Sequence, residues 1–332
     1  MGVTLYGAPL LPCRQIFSPV VPPRRRVTYN AALPLRQQAV LPRTAQLYRL
    51  AFNRFAGFVR LNYNVSVSQV PPERLDVYFE RFIDDQARSN EGRQRQRCVN
   101  AMQGVFLVLG EHLRSFFPSS RRALAAWKKR VPAVSAPPIP EDWCDVLAAL
   151  LILKGKSSSG FALYLSFHAL LRPFEVLALE GSDILVDSSY LHHGGVRVQH
   201  GKTGPNQFAR ITDPTALRIL RYFRLITPPH ARLFADLDYR GYLLDLGWAC
   251  RALALPTRFT PHSARHGGAT KRFLLGDHPD VIRIEGRWSQ YKSMMVYLQS
   301  CSCMLLSLNP PPEFTLLLTT GFLLRPLLLS FV

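Results

Sequence analysis

Acid is missing from the first 72 residues of this sequence, a stretch that carries nine arginines. Charge that one-sided can sit on a solvated face, but it more often lies along phosphates. Cysteine is sparse. Cys13, Cys98, Cys144, Cys250, Cys301 and Cys303 are the only six, and only the last two are close together. Without a pair of CxxC units there is no zinc-ribbon signature, and without evenly spaced cysteines there is no disulfide framework, so a reducing compartment is expected. No internal repeat is present, which excludes solenoids and propellers. The start, "MGVTLYGAPLLPCRQ", lacks the basic-then-apolar layout of a secretory signal, and Tyr6 stands where myristoylation needs Ser or Thr. The longest apolar run, 314–332, is interrupted by Arg325 and Pro326. A charge at mid-span costs roughly 2.5–3.5 kcal/mol on insertion scales. That weighs against a membrane anchor and leaves a buried or partner-docked segment, or a tail outside the fold.

What is present is ordinary in hydrophobicity and unusual in charge. Apolar residues make up 48% and charged residues 19% of 332, enough for two domains with separate cores. The formal charge of +19 and a pI near 10.2 point to a polyanionic partner, nucleic acid first and an anionic membrane surface second. Residues 1–140 hold 21 basic against 7 acidic side chains, and residues 141–332 hold 20 against 15.

Along the chain, 1–43 is a Pro/Arg-rich arm with "SPVVPPRRRV" as its turn-and-coil core, expected to be disordered when free. Helical spacing begins at Thr44, with Leu47, Leu50, Ala51, Phe55 and Phe58 on one face. Further helices are predicted over 73–87, 90–113 and 119–130, giving an all-helical domain over 44–130. Its basic stretches offer Arg93, Arg95, Arg97, Lys128, Lys129 and Arg130 as phosphate contacts. "VPAVSAPPIP", 131–140, reads as a linker. Beyond it, helices are predicted over 141–153 and 158–171, from Pro173, and over 214–225, 238–253 and 262–275, with a last one across Tyr297. Strands are predicted in "SDILVD" and "GVRVQHGKTGPNQFARIT", the latter turning over at Gly201–Asn206. His192 and His193 read as loop residues. The fold class is mainly α with a small antiparallel sheet.

One stretch, "PHSARHGGATKRFLLGDHPDVIRIEGRWSQYKSMMVYLQ", holds His262, Arg265, His266, Trp288 and Tyr297. Upstream stand Arg172 and Glu175 in "LLRPFE" and Lys202 in "HGKTGP". Singly, each has a plain reading: Arg172 ends a helix, Lys202 is a solvated turn lysine, and Trp288 and Tyr297 are packing residues. In this order, with Trp288 and Tyr297 nine apart, the pattern resembles the catalytic domain of the tyrosine recombinases, the phage-integrase family. The resemblance covers about 141–300, which would be a mixed α/β catalytic domain. The helical first domain is similar to that family's core-binding domain in layout alone, and 301–332 departs from the family as an atypical hydrophobic tail. "RHGGAT" and "GRW" look like the DIRS/Crypton branch of eukaryotic mobile elements, which implies a nuclear setting if the source is eukaryotic and a cytoplasmic one otherwise.

The resemblance implies a site-specific DNA recombinase or integrase acting through a 3′-phosphotyrosyl link. Tyr297 would be the nucleophile, with Tyr291 the less fitting alternative. Arg172 and Arg265 would bind the charged phosphate, Lys202 would protonate the leaving 5′-oxygen, and His262 and Trp288 would position the phosphate. Glu175 and His266 are accessory. No cofactor or metal is implied. The partner is double-stranded DNA, held in a clamp between the two domains, with a homotetramer on paired sites. Two other readings stay open: a type IB topoisomerase-like enzyme, and a retired recombinase that only binds DNA.

Overall fold

The structure is a computed structural model that describes residues 40, 42–88, 92–131, 136–186, 194–255, 259–308, 310–311, 314–315, 317–318 and 328. The arm up to residue 39, His192 and His193 lie outside these. The chain divides into two units, Met1–Ala133 and Val134–Val332.

Among the described residues the first unit has four α-helices: α1 (Pro42–Tyr63), α2 (Pro72–Ala87), α3 (Gly92–Leu109) and α4 (Pro118–Arg130). Proline in the first turn of α2 and α4 costs nothing, because the amide it lacks would be unpaired there. Asn64 with φ 52° ends the first helix and Gly110 with φ 132° the third. The third helix therefore stops short of the expected residue 113, and a 3₁₀ segment, Glu111–Phe116, replaces its last turn. The buried Asp76 of α2 accepts from the Ser119 and Ser120 amides of α4 at 2.9 Å and from Ser120 Oγ at 2.6 Å. A buried carboxylate is thus matched to a helix N-terminus. Phe55, Phe79, Phe82, Phe106 and Phe117 fill the core, with Phe55 and Phe79 ring centres 4.6 Å apart.

The second unit is built around α5 (Glu141–Leu153) and α6 (Ser157–His168). Trp143 to Ala149 and Ser159 to Phe167 are buried without a break, as in helices surrounded by protein. The short α7 (Pro173–Val176) follows Leu170, whose φ of 49° ends the previous helix short of the expected residue 171. A three-stranded antiparallel sheet follows in the order β1 (Ile184–Val186), β2 (Gly194–Gly201), β3 (Gly204–Ile211), with Val196 opposite Ala209. Lys202 and Thr203 form the β2–β3 turn. Asp213 caps α8 (Pro214–Ile226) through the Ala216 amide, and Asp238 caps α9 (Tyr239–Ala252) through the Gly241 amide. Then come α10 (Pro261–Leu274), α11 (Pro279–Glu285), α12 (Tyr291–Met295) and α13 (Ser300–Leu308).

Two further elements differ from expectation. Helix α11 starts where His278 Nδ1 accepts from the Asp280 amide, a local cap that hydrophobic periodicity does not reveal. Tyr297 is in no helix. The chain turns between α12 and α13, with the Tyr297 amide donating to Met294 O at 2.7 Å. In the tail, Cys303, Phe314 and Leu328 are buried, and the Phe314 ring lies 4.9 Å from Trp143. Among the described residues no helix is long and apolar enough to cross a membrane.

Two adjacent glycines fix where α10 sits. A Cβ on Gly267 would overlap the Ile139 carbonyl, and one on Gly268 the Phe167 carbonyl. Both obstacles are backbone, so neither can swing away. Gly268→Ala is expected to cost about 1–3 kcal/mol, as overpacking of a tight core does, read as a lower urea midpoint with an unchanged slope.

Candidate active site

Helix α10 presents His262, Arg265 and His266 at the three- and four-residue spacing that aligns side chains on one face. Arg265 is fully buried. Its Nη2 donates to Gly286 O at 2.6 Å and its Nη1 to Leu170 O. Its guanidinium carbon lies 4.2 Å from the centre of the Trp288 ring and 5.5 Å from that of Tyr297. One side chain therefore joins the segment before Arg172, the segment before Trp288, and Tyr297.

The tyrosine ring is held on two sides. It stacks on His266 at 4.1 Å and meets the Trp288 ring edge-on at 4.9 Å. The Tyr297 carbonyl accepts from Thr270 Oγ1 at 2.9 Å, which anchors the turn to α10. Gln299 Nε2 lies 2.9 Å from His266 Nδ1, an arrangement suited to a neutral imidazole accepting there. Tyr291 is exposed at the first position of α12, outside this group of rings.

Arg172 stands at the N-cap of α7, with its amide donating to Glu175 Oε2 at 2.9 Å and its Nη1 to Oε1 at 2.5 Å. Arg287, which the sequence pattern did not single out, donates from Nη2 to the same Glu175 Oε2 at 2.7 Å and to Leu170 O at 3.0 Å. The Arg287 carbonyl accepts from Arg172 Nη2 at 3.4 Å and from Thr203 Oγ1 at 3.1 Å. Thr203 follows Lys202, so the hairpin tip is tied to the same loop while Lys202 itself is exposed. A cleft of about 340 Å³ lies beside it, lined by Thr203, Gln207, Arg283, Arg287, Trp288 and Ser289 among others. Three guanidinium groups surround one carboxylate, an excess of two positive charges. The nearest sequence signal for Arg287 is its place in "GRW", but nothing in the spacing pairs it with Glu175.

The electrostatics follow from burial. Desolvation alone would raise the Glu175 carboxyl, yet Arg287 and then Arg172 hold it below the usual range. Burial first, then Arg172 and Arg287, lowers Arg265 to about 9, still charged at neutral pH. Burial and then Arg265 and Arg172 lower His262. Burial and then His262 and Arg265 lower His266 to about 4. Both imidazoles are neutral beside the arginines. Trp288 Nε1, Arg265 Nε and Arg287 Nε are buried donors with no hydrogen-bond partner among the described residues. Leaving such donors unpaired costs about 1–3 kcal/mol each.

The candidates for DNA contact lie in the first unit. Lys128, Lys129 and Arg130 are exposed in the last turn of α4, Arg97 is exposed and Arg95 half-buried on α3, and the side chain of Arg93 falls outside the described residues.

No protein-family model matches the chain, and no curated protein matches it by sequence. Solved structures do. A XerH site-specific recombinase bound to difH substrate in a pre-cleavage complex is 14% identical with a TM-score of 0.51, covering 77% of this chain and 74% of that one. The XerH post-cleavage complex on palindromic difH is 12% identical with a TM-score of 0.51, covering 80% and 78%. XerA recombinase is 15% identical with a TM-score of 0.42, covering 83% and 95%. The chain has the tyrosine-recombinase fold, a helical domain and a mixed α/β domain.

His266 gives the site a pH dependence whose sign is fixed. Its folded-state pKa lies below the ordinary 6.5, so the unfolded chain binds the proton more readily. Stability contributed by the neutral ring is full above pH 6.5 and falls by about 3 kcal/mol as pH drops toward 4. Urea midpoints should decline across that window in the wild type and less steeply in His266→Gln.

Proposed function

We propose that this chain is a DNA strand transferase that cuts and rejoins duplex DNA at a specific site through a phosphotyrosyl intermediate. The carrying observation is the packing of the Tyr297 ring against Arg265, His266 and Trp288, beside an arginine-rich cluster with two uncompensated positive charges. In the reaction a bond forms between the Tyr297 oxygen and phosphorus while the bond to the 5′-oxygen breaks. The phenolic proton passes to a neutral base, for which His262 is the candidate, and Lys202 protonates the departing 5′-oxygen. The free 5′-hydroxyl of another strand then reverses the step, conserving the phosphodiester. Arginine supplies the bidentate positive charge that the pentavalent transition state requires.

The three arginines differ in access. The Arg172 side chain is 16% exposed, that of Arg287 3% and that of Arg265 0%. Arg172 is therefore the group that meets the phosphate first. Arg265 is enclosed, with Nη1 and Nη2 already donating to the Leu170 and Gly286 carbonyls, so it meets the phosphate less directly. That full burial also favours a second reading, a protein that holds DNA without cutting it. We assign Lys128, Lys129 and Arg130, with Arg95 and Arg97, to phosphate contacts, and a tetramer on paired sites to the exchange itself. The DIRS/Crypton-like "RHGGAT" and "GRW" stretches support a mobile-element setting, nuclear in a eukaryote.

Covalent capture separates these readings. The protein is incubated in EDTA with fragmented DNA of its source organism, denatured in detergent, and the attached DNA sequenced. Adducts concentrated at one inverted repeat and lost in Tyr297→Phe are expected. Scattered adducts would indicate a topoisomerase, and tight binding without adducts the DNA-holding protein. Separately, replacing Lys128, Lys129 and Arg130 together by Gln should weaken binding to all sequences alike. It should also flatten the slope of log K against log salt by about 2–3, since each phosphate contact contributes roughly 0.9.

A further inference from the structure

Glu175 is claimed by three guanidinium groups at once. Arg172 holds Oε1 at 2.5 Å, Arg287 holds Oε2 at 2.7 Å, and Arg265 stands 3.8 Å from Oε2. A buried carboxylate binds its cations in competition, so whatever satisfies Oε2 governs how strongly Oε1 engages Arg172. Arg287 is the buried partner without another role in the strand-transfer chemistry. Its side chain is enclosed, and its remaining contacts are to the Ala169, Leu170 and Glu285 carbonyls. Its backbone takes φ 60°, a left-handed conformation that an arginine adopts only at some cost. A glycine would hold that turn with less strain, and the chain carries an arginine there.

Resting on the strand-transfer reading above, we propose that Arg287 is a positioning residue that occupies Glu175 so that the Arg172 guanidinium stays available to the scissile phosphate. Without Arg287, one carboxylate faces Arg172 and Arg265 alone, and the excess positive charge at the site halves. Arg172 is then drawn fully onto Glu175 and away from the incoming anion. Arg287 acts through Glu175 and touches no reacting atom. The neighbouring contacts fit this placement: Arg172 Nη2 also reaches the Arg287 carbonyl at 3.4 Å, so side chain and backbone of one residue bracket the same guanidinium.

The test removes the side chain without straining the turn. Arg287→Gly keeps the positive φ and the carbonyl that receives Arg172 and Thr203. Full-length wild type, Arg287→Gly, Glu175→Gln and the double variant are compared on fragmented source-organism DNA, scored for detergent-resistant adduct per unit time at saturating DNA. Melting curves and DNA affinity are recorded alongside. Arg287→Gly should slow adduct formation on the order of 10- to 100-fold, less than removal of a direct oxyanion donor, with affinity nearly unchanged. Adding Glu175→Gln restores the charge excess and should return the rate to within a few-fold of wild type. A merely structural Arg287 gives no such rescue: the double variant would be slower than either single one, and that result overturns the proposal. So does an adduct rate in Arg287→Gly equal to wild type. Absence of adduct in the wild type itself would instead sink the strand-transfer reading, and with it this role.

Discussion

The second unit depends on burying one positive charge, the Arg265 guanidinium, whose pKa burial lowers to about 9 and which is still charged at neutral pH. Arg265 has no exposed surface, and its two terminal nitrogens donate to carbonyls from segments 95 and 21 residues away in sequence. A guanidinium keeps its proton at such depth only if acceptors surround it. The Leu170 and Gly286 carbonyls, Glu175, and the faces of Trp288 and Tyr297 supply them. They come from three stretches of sequence, Leu170 to Glu175, Gly286 to Trp288 and Tyr297, so satisfying Arg265 brings those segments together. The left-handed residues Leu170 and Arg287 lie at or next to these contact points, where the backbone turns its carbonyls inward. Local strain and buried charge are thus two sides of one arrangement.

Close backbone approach makes this possible. Gly267 and Gly268 follow Arg265 and His266 directly and lie against the Ile139 and Phe167 carbonyls. With any side chain there, α10 would stand off from α6 and from the segment before α5, and Arg265 would lose its reach to Leu170. The Ile139 amide in turn donates to Ser263 O at 3.2 Å. Residues just before α5 therefore belong to the packing of the second unit, although their proline content reads as linker. The tail is tied to the same unit through Phe314, which packs on Trp143 beside Phe259.

Legibility in the sequence tracks the range of the interaction that sets each feature. Helices with a full apolar stripe or continuous burial, such as α5 and α9, stand where periodicity places them, because i, i+3 and i+4 neighbours decide them. The same holds for the β2–β3 hairpin, with its Gly-rich turn at Lys202. His262, Arg265 and His266 were legible as one helical face for the same reason. Helix α11 was not, since seven residues with one buried position, Ile282, carry no period. Neither was the break at Tyr297: its run of Met294, Met295, Val296 and Leu298 looks helical, but Thr270 on a distant helix holds the tyrosine carbonyl. Arg287 was hidden most completely. Its partner lies 112 residues away, and a lone arginine beside a tryptophan has no sequence mark of burial.

The protonation states make chemical sense together. Two histidines within a turn of a buried arginine would, if charged, add repulsion to a cluster already in excess by two. Burial and the arginines keep both neutral. A neutral imidazole can accept a proton where a charged one cannot, and it can stack on Tyr297 without competing with Arg265 for the ring face. At neutral pH the positive field is therefore carried by guanidinium groups, while the imidazoles, lowered by burial and the arginines, are the groups able to accept a proton. Such a division is what the proposed strand transfer needs, since its transition state gains negative charge on phosphate while a phenol loses a proton and a 5′-oxygen takes one. Glu175 limits the field rather than cancelling it, because one carboxylate shared among three guanidinium groups orients them and leaves charge over for an anion.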